Sequence, residues 1–436
     1  MPGALGRAQM LLGFATQPLN FVGKRFRRYG DMYFVTHAPG LLVLRHPDHL
    51  YEVLVEKAAD FSKQHTAFEQ LGRVLGNGLL NSDGDVWRRH RRMIQPAFQR
   101  ARLVEYAAEM RAEAERLADE LAPPRSVEMS DAMMGLTLDI VCRTLFSHDS
   151  SADRDDVNRA MSAFQDSIAR PDVLPSWMPS PSRKALHNAV GTLDAIMFRM
   201  IRERKSEIAT GAEPRTDLLA RLLAAVDEEG DGQGLTETEV RDQLVTLFLA
   251  GHETTSQALT WTWFLLAQHP EVESALHQEL SRELGGRAPD YEDLQRLTFT
   301  EQVLEESMRL YPPVYMVARR AERDTTVGDV QVSAGTELAL WIYWAHRDPR
   351  WFALPDAFRP ERFAPQAKAK IRRGAYVPFG AGPRACIGKV FAMIEAKIIL
   401  ATLAQRFRAR VAPGQKVQAL PRITLTPRHG MRMLLQ

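Results

Sequence analysis

Cysteine is nearly absent: the 436 residues hold two, Cys142 and Cys386. Two thiols cannot staple a chain of this size, so disulfides are not the source of its stability, and a reducing compartment is expected. Long apolar runs are missing as well. Met10–Ala15 is too short beside the about 20 residues that a membrane span needs, and Thr16, Gln17, Pro18, Lys24 and Arg25 close the window. A secretory leader would need a longer apolar region and a small-residue cleavage site. A cytoplasmic protein without a membrane span is therefore expected. An excess of one charge is lacking too. A formal net charge of +2 points neither to nucleic acid nor to an anionic membrane as the main partner.

What is present suits a folded chain: 45% of residues are hydrophobic and 25% charged. Length alone sets a prior of about three domains, although single large domains reach this size. No repeat, low-complexity tract or linker divides the sequence, so one domain over 1–436 is expected, as a monomer. Asp31–Thr36 and Gly40–Arg45 read as strands, and from about Pro47 the pattern turns helical. Helices are expected over Leu103–Leu121, stopped by Pro123-Pro124, and over Ala189–Ile208, with polar loops at Gly211–Pro214 and Glu228–Gly234. The clearest helix spans Glu237–Gln268, with a Thr236/Glu239 capping box before it and Pro270 after it. Its centre, Leu244–Thr260, is apolar on nearly every face and should be buried. Thr326–Val332 and Glu337–Ile342 look like strands, and a last helix should run from Lys389 to Arg406. The fold class is mostly α with small β-sheets.

Four segments carry chemistry. In Phe379-Gly380-Ala381-Gly382-Pro383-Arg384-Ala385-Cys386-Ile387-Gly388, glycines let the backbone pass near a flat ring and turn amide N–H groups toward a thiolate. Arg384 could reach a porphyrin propionate; the bland alternative is a buried cysteine beside a turn. Ala250-Gly251-His252-Glu253-Thr254-Thr255 places a bare glycine, an acid and two hydroxyls inside an apolar helix, where each forfeits packing or needs a partner. Such residues suit a helix that opens locally to hold dioxygen and water. The alternative is that the threonines bond back to carbonyls one turn earlier. His252-Glu253 fails as a zinc motif because the fifth position is Ser256. Glu306 and Arg309 share a helix face and can pair. Arg88–Arg92 lacks the aromatic platforms of a nucleic-acid surface beyond Trp87.

Phe-x-x-Gly-x-Arg-x-Cys-x-Gly resembles the haem-binding loop of the cytochrome P450 superfamily at every fixed position. Trp87-x-x-x-Arg91, Ala250–Thr255, Glu306-x-x-Arg309 and Phe358-Arg359-Pro360-Glu361-Arg362-Phe363 follow the family's landmarks in order over most of the chain. The resemblance implies a P450 fold and a haem-thiolate monooxygenase. Its iron protoporphyrin IX (haem b) would be ligated by Cys386, with Phe379, Gly380 and Gly388 shaping the loop. Trp87, Arg91, Arg384 and one of Arg319 and Arg320 would meet the propionates, and Ala250 would face the ring. Thr254 with Glu253 would deliver protons. Glu306, Arg309 and Arg362 would form a structural charged cluster. Leu247, Ala250, Val314, Met316 and Val317, all apolar, would line the pocket of a hydrophobic substrate such as a fatty acid, terpenoid or polyketide. The pattern fills the chain, so electrons are expected from a separate ferredoxin or flavodoxin with its reductase. Cations at Lys368, Lys370, Arg372, Arg373 and Lys389, with Arg88, Arg89 or Arg92 of an otherwise solvated helix face, would crowd the docking face nearest the thiolate. Two rivals are a peroxide-driven or isomerising relative, whose kind typically lacks the acid–threonine pair, and a haem sensor or electron carrier, which would want no open distal site.

Overall fold

The Thr236 hydroxyl accepts the Glu239 N–H while the Glu239 carboxylate takes the Thr236 N–H, and from that cap a helix of 32 residues runs unbroken to Gln268. At about 1.5 Å per residue it is roughly 48 Å long and crosses the molecule. This computed structural model describes residues 13, 17–35, 40–150, 152–169, 178, 180–211, 213, 215–226 and 232–436. Met10–Ala15 lies outside them apart from Gly13, as do Thr36 and parts of the loops expected at 211–214 and 228–234.

Among the described residues the helices of ten residues or more are α1 (Pro18–Tyr29), α2 (Thr66–Leu75), α3 (Gly84–Ile94), α4 (Arg100–Glu120), α5 (Met129–Phe146), α6 (Arg154–Ala169), α7 (Pro181–Ala209), α8 (Glu237–Gln268), α9 (Pro270–Leu284), α10 (Thr298–Leu310) and α11 (Lys389–Ala404). α8 packs most extensively on α5, and α11 lies against both α4 and α8. The largest apolar cluster gathers side chains from α2 through α11, so the middle of α8 is buried over most of its circumference and the other helices wrap it.

Strands are short and peripheral. β1 (Met32–Phe34), β2 (Leu41–Leu44), β3 (Phe61–Ser62), β5 (Val317–Ala321) and β8 (Glu337–Leu340) form one sheet in the order β1-β2-β8-β5-β3, with β2 and β8 parallel. β4 (Arg125–Glu128), β12 (Arg432–Leu435) and β9 (Ala409–Val411) form a second. β10 (Ala419–Pro421) and β11 (Leu425–Pro427) form a hairpin, held to the centre of the molecule because Trp261 Nε1 of α8 donates to the Leu425 carbonyl at 2.7 Å.

Two expectations are corrected. Thr326–Val332 is not one strand but a hairpin of β6 (Thr325–Val327) and β7 (Val330–Val332), because Gly328 turns the chain at φ +55°. α7 begins at Pro181 rather than near Ala189, since Ser180 caps it and Pro181 suits a first helical turn.

Candidate active site

The loop before α11 is built around backbone that needs glycine. Gly380 and Gly382 both take φ +69°, and a Cβ on Gly382 would come 1.9 Å from the Leu54 carbonyl oxygen. The turn closes when Cys386 N–H donates to the Phe379 carbonyl at 2.9 Å. Gly388 then caps α11, and its backbone hydrogen-bonds the Cys386 sulfur at the positive end of the helix. Cys386 is exposed by surface area, yet protein atoms crowd the sulfur. Both hold for a group on the wall of an internal cleft. Burial pushes its thiol up, while the Gly388 N–H and the charges of Arg91, Lys389 and Lys63 pull it down.

Cations gather beside that wall. Arg91 Nη1 donates to the Ala385 carbonyl at 3.1 Å, and Arg384 donates to the Ser82 carbonyl at 2.8 Å and pairs with Asp83. The Trp87 ring lies under both guanidinium groups, 3.9 Å from Arg384 and 5.8 Å from Arg91. Strand alternation turns Arg319 inward and leaves Arg320 exposed. Arg319 is buried, and among the described residues its side-chain hydrogen bond goes to its neighbour's carbonyl, Ala318 at 2.8 Å. Burial, with the nearby Arg384 charge, depresses it to about 10. Lys63, which sequence reasoning missed, is also buried, donates to the Leu80 carbonyl at 2.8 Å, and is driven well below the usual lysine range by burial and then by Arg319 and Arg384. Among the described residues Lys63, Arg319 and Arg384 thus share one carboxylate, Asp83, with Arg91 as a fourth cation beside them. Lys63 and Arg319 are buried and Arg91 and Arg384 half-buried, positive charge in an excess that calls for anions, and the thiol beside it would suit an iron ligand. The residues present fit a haem with two propionates.

α8 opens onto free space at one place. From Val240 to Trp263 every residue is buried except Ala250, Gly251 and Thr254, which share one face. The helix itself does not open, contrary to expectation. The Thr254 hydroxyl donates to the Ala250 carbonyl at 2.8 Å and that of Thr255 to the Gly251 carbonyl at 3.2 Å. Gly251 has a packing reason, since a Cβ there would stand 2.9 Å from a Val141 methyl of α5. Glu253 points away from the window. Its Oε1 accepts from the Gln165 amide at 2.9 Å and the Thr424 hydroxyl at 2.7 Å, and burial raises its carboxyl to about 7. Beside Thr255 lies Glu395 of α11, a fully buried acid that burial holds well above the carboxylate range. Val314, Met316 and Val317 are partly exposed, whereas Leu247 is covered at 6% exposure.

Glu306 and Arg309 are wholly buried. The guanidinium Nε and Nη2 donate to the carboxylate at 2.6 and 2.8 Å, and its other donors reach the carbonyls of His346, Pro355 and Ala357. Arg362 Nε joins at 3.2 Å. On the outer face, Lys368 pairs with Glu305, Arg372 with Asp48, and Arg373 stands 3.8 Å from Glu56. Arg89 is not solvated as expected but pairs with Glu239 at 2.8 Å.

The cytochrome P450 family model matches residues 5–432. The chain is similar to the cyclooctatin synthase of Streptomyces melanosporofaciens, 36% identical over 431 residues that cover 98% of this chain and 93% of that protein. It is 36% identical to the cyclooctat-9-en-7-ol 5-monooxygenase of the same organism, over 95% of this chain and 90% of that one. The pentalenene oxygenase of Streptomyces avermitilis is 30% identical over 100% of this chain and 96% of its own length. Among solved structures, the haem domain of cytochrome P450DA superposes with a TM-score of 0.87 at 26% identity, covering 100% of this chain and 96% of that one.

Proposed function

This chain belongs to the cytochrome P450 family, and from that premise we propose that it oxygenates a terpenoid at a haem b whose iron is ligated by Cys386. It is a P450 monooxygenase that acts on a hydrophobic small molecule. The observation that carries the finer reading is the Cys386 sulfur itself. Protein atoms crowd it and burial pushes its thiol up, opposed by the Gly388 backbone hydrogen bond and the charges of Arg91, Lys389 and Lys63, the groups that would hold its anion once iron binds. When bound, the haem supplies the activation of dioxygen. The chain's residues do the rest. Lys63, Arg91, Arg319 and Arg384 bind the propionates, with Trp87 as a platform. Phe379, Gly380 and Gly388 shape the loop, and Ala250 leaves room above the ring. Thr254 holds a proton at its hydroxyl on the open face of α8, and Glu253, near half-protonated at neutral pH, can restore it only by leaving Gln165 and Thr424. Glu306, Arg309 and Arg362 keep the loop's support rigid.

A terpenoid is favoured over a fatty acid or polyketide because two similar proteins are named for acting on cyclooctat-9-en-7-ol and pentalenene. Ala250, Val314, Met316 and Val317 offer such a molecule an apolar, partly open lining. P450 monooxygenases draw electrons from redox partners. Here a separate ferredoxin or flavodoxin fits a one-domain, monomeric, cytoplasmic enzyme. Because Lys368 and Arg372 are ion-paired and Arg373 stands near Glu56, Lys370 and Lys389 remain the candidates for steering it. The test is Cys386→Ser. The variant should lose the thiolate-specific Soret shift of the reduced carbon monoxide complex. Retention of that shift, with Cys142 the only thiol left, would overturn the ligand assignment.

A further inference from the structure

Oxidisable rings run in contact from the centre of the molecule to its surface. Trp261 follows Thr254 by two helical turns, so both belong to the same face of α8, about 10 Å apart along its axis. The Trp261 ring stacks on that of Tyr311, with centroids 4.1 Å apart and planes 5° from parallel. Phe264 sets its edge against both, at 5.8 and 6.2 Å. The Arg347 guanidinium lies over Tyr311 at 5.4 Å and over Tyr343 at 4.0 Å, and Tyr343 meets Trp344 edge to face at 5.4 Å. Trp261 is wholly buried, whereas Tyr311, Tyr343 and Trp344 are partly exposed. Core packing explains the stack but not the choice of rings. Phenylalanines pack in the same ways, yet the four rings on this line are tryptophans and tyrosines, the side chains that yield an electron most readily. Each indole donates to a carbonyl, Trp261 to Leu425 at 2.7 Å and Trp344 to Leu19 at 3.2 Å, and such a bond strengthens when its donor becomes a cation. Among the described residues the Tyr311 phenol has no hydrogen-bond partner, so its proton can pass to solvent. Burial pushes that phenol up, and the Arg347 charge opposes the rise.

We propose that Trp261, Tyr311, Tyr343 and Trp344 relay electrons from the surface to the open face of α8, so that a soluble thiol consumes oxidising equivalents that meet no substrate. The relay rests on the haem monooxygenase reading above. In each passage Trp261 yields one electron inward and regains it from Tyr311, whose phenol proton goes to solvent. Tyr311 draws on Tyr343 and Trp344 in turn, and at the surface the thiol supplies an electron and a proton. Two passages, with two protons, convert the oxygen atom that would have entered substrate into water. The two thiols are oxidised to one disulfide.

The full-length haem-loaded protein is mixed, without substrate, with peracetic acid, which delivers a two-electron oxidising equivalent and leaves acetate, so that no redox partner is needed. Rapidly frozen samples are read by electron paramagnetic resonance, with ring-deuterated tyrosine or tryptophan incorporated to assign the signal. Wild type should show a tyrosyl radical that glutathione erases, and longer exposure should leave oxygenated Tyr343 and Trp344 in peptide mass spectra. Tyr311→Phe keeps the stacked ring and should lose both the radical and the surface oxidation, while its Soret band bleaches faster. Tyr343→Phe should keep a radical at Tyr311 and lose the oxidation of Trp344. Trp263→Phe removes an indole on the opposite face of α8, stacked on Phe407 at 5.5 Å, and should behave as wild type. Undiminished radical and surface oxidation in Tyr311→Phe overturn the proposal, as does a wild-type radical that neither deuterated residue alters. The reduced carbon monoxide complex is recorded on the same preparations. A normal thiolate Soret shift beside either of those results confines the failure to the relay and leaves the haem-ligand reading standing.

Discussion

The Thr424 hydroxyl donates a 2.7 Å hydrogen bond to Glu253 Oε1, joining the β10–β11 hairpin to the middle of α8 across 171 positions of sequence. Gln165 of α6 donates to the same oxygen, and Arg422 adds a favourable charge. Burial outweighs these and lifts the carboxyl from 4.5 to about 7. The folded chain therefore holds this proton over a pH range in which the unfolded chain has released it. Stability from this group is full below about pH 4.5 and is lost as pH rises through about 7. Glu253→Gln removes the loss. At pH 8 it should be more stable than wild type by on the order of 3 kcal/mol, with the gap closing toward pH 5. Urea midpoints across that range measure it, and a pH-independent gap would show that Glu253 does not titrate between the two states.

The charged cluster behind the loop makes a second, larger claim. Glu306 satisfies two of Arg309's donors, Arg362 and the Arg359 N–H. Glu306→Ala strands a guanidinium that is wholly buried. Breaking such a pair costs about 3–5 kcal/mol, a large share of a typical stability of about 5–15 kcal/mol. Low soluble yield and poor haem loading are expected. Normal yield and an unshifted unfolding midpoint would show that the Arg309 carbonyl contacts suffice.

Features of the fold were legible where local chemistry decides them. Thr236, Glu239 and Pro270 mark both ends of α8 in the sequence, and the glycines around Cys386 mark a turn. Gly328 is visible in the sequence, but the β-branched residues on either side of it suit a strand and do not show where it turns. The site residues that escaped notice act through tertiary contacts. Lys63 has no motif around it, and its meaning comes from facing Arg319 and Arg384, more than 250 positions away. Glu395 left a trace, as the one acid in α11, but Thr255 beside it lies on another helix. The inward orientation of Glu253 was equally hidden. Sequence places it beside Thr254, while helical geometry sends the two side chains to different faces.

Thr254 and Thr255 then separate cleanly as a test. Both hydroxyls return to carbonyls four residues earlier, but only Thr254 lies on the open face of α8, and Thr255 is buried against Glu395. Thr254→Ala should consume reductant at a rate within about threefold of wild type while more of the oxygen leaves as peroxide, because a positioned proton donor contributes on the order of a hundredfold or more to proton transfer. Thr254→Ser should restore coupling. Unchanged product per reductant in the alanine variant would reduce Thr254 to a packing residue.

The two glycines of the cysteine loop share one backbone conformation and differ in surroundings. Gly380 and Gly382 both sit at φ +69°, so either alanine variant bears left-handed strain of about 1–2 kcal/mol. At Gly380 the nearest atom to an added Cβ is 3.9 Å away, and nothing else need move. At Gly382 the added carbon would lie 1.9 Å from the Leu54 carbonyl, backbone that cannot swing aside as a side chain would. Gly380→Ala should thus fold and load haem with only the strain as penalty. Gly382→Ala must displace the Leu54 segment or the loop, and the loop carries the Arg384 contacts with Ser82 and Asp83 as well as Cys386. Faster haem loss and a melting temperature below that of Gly380→Ala are expected. Equal haem retention in the two variants would mean that the loop's approach to Leu54 is not what holds Cys386 in place.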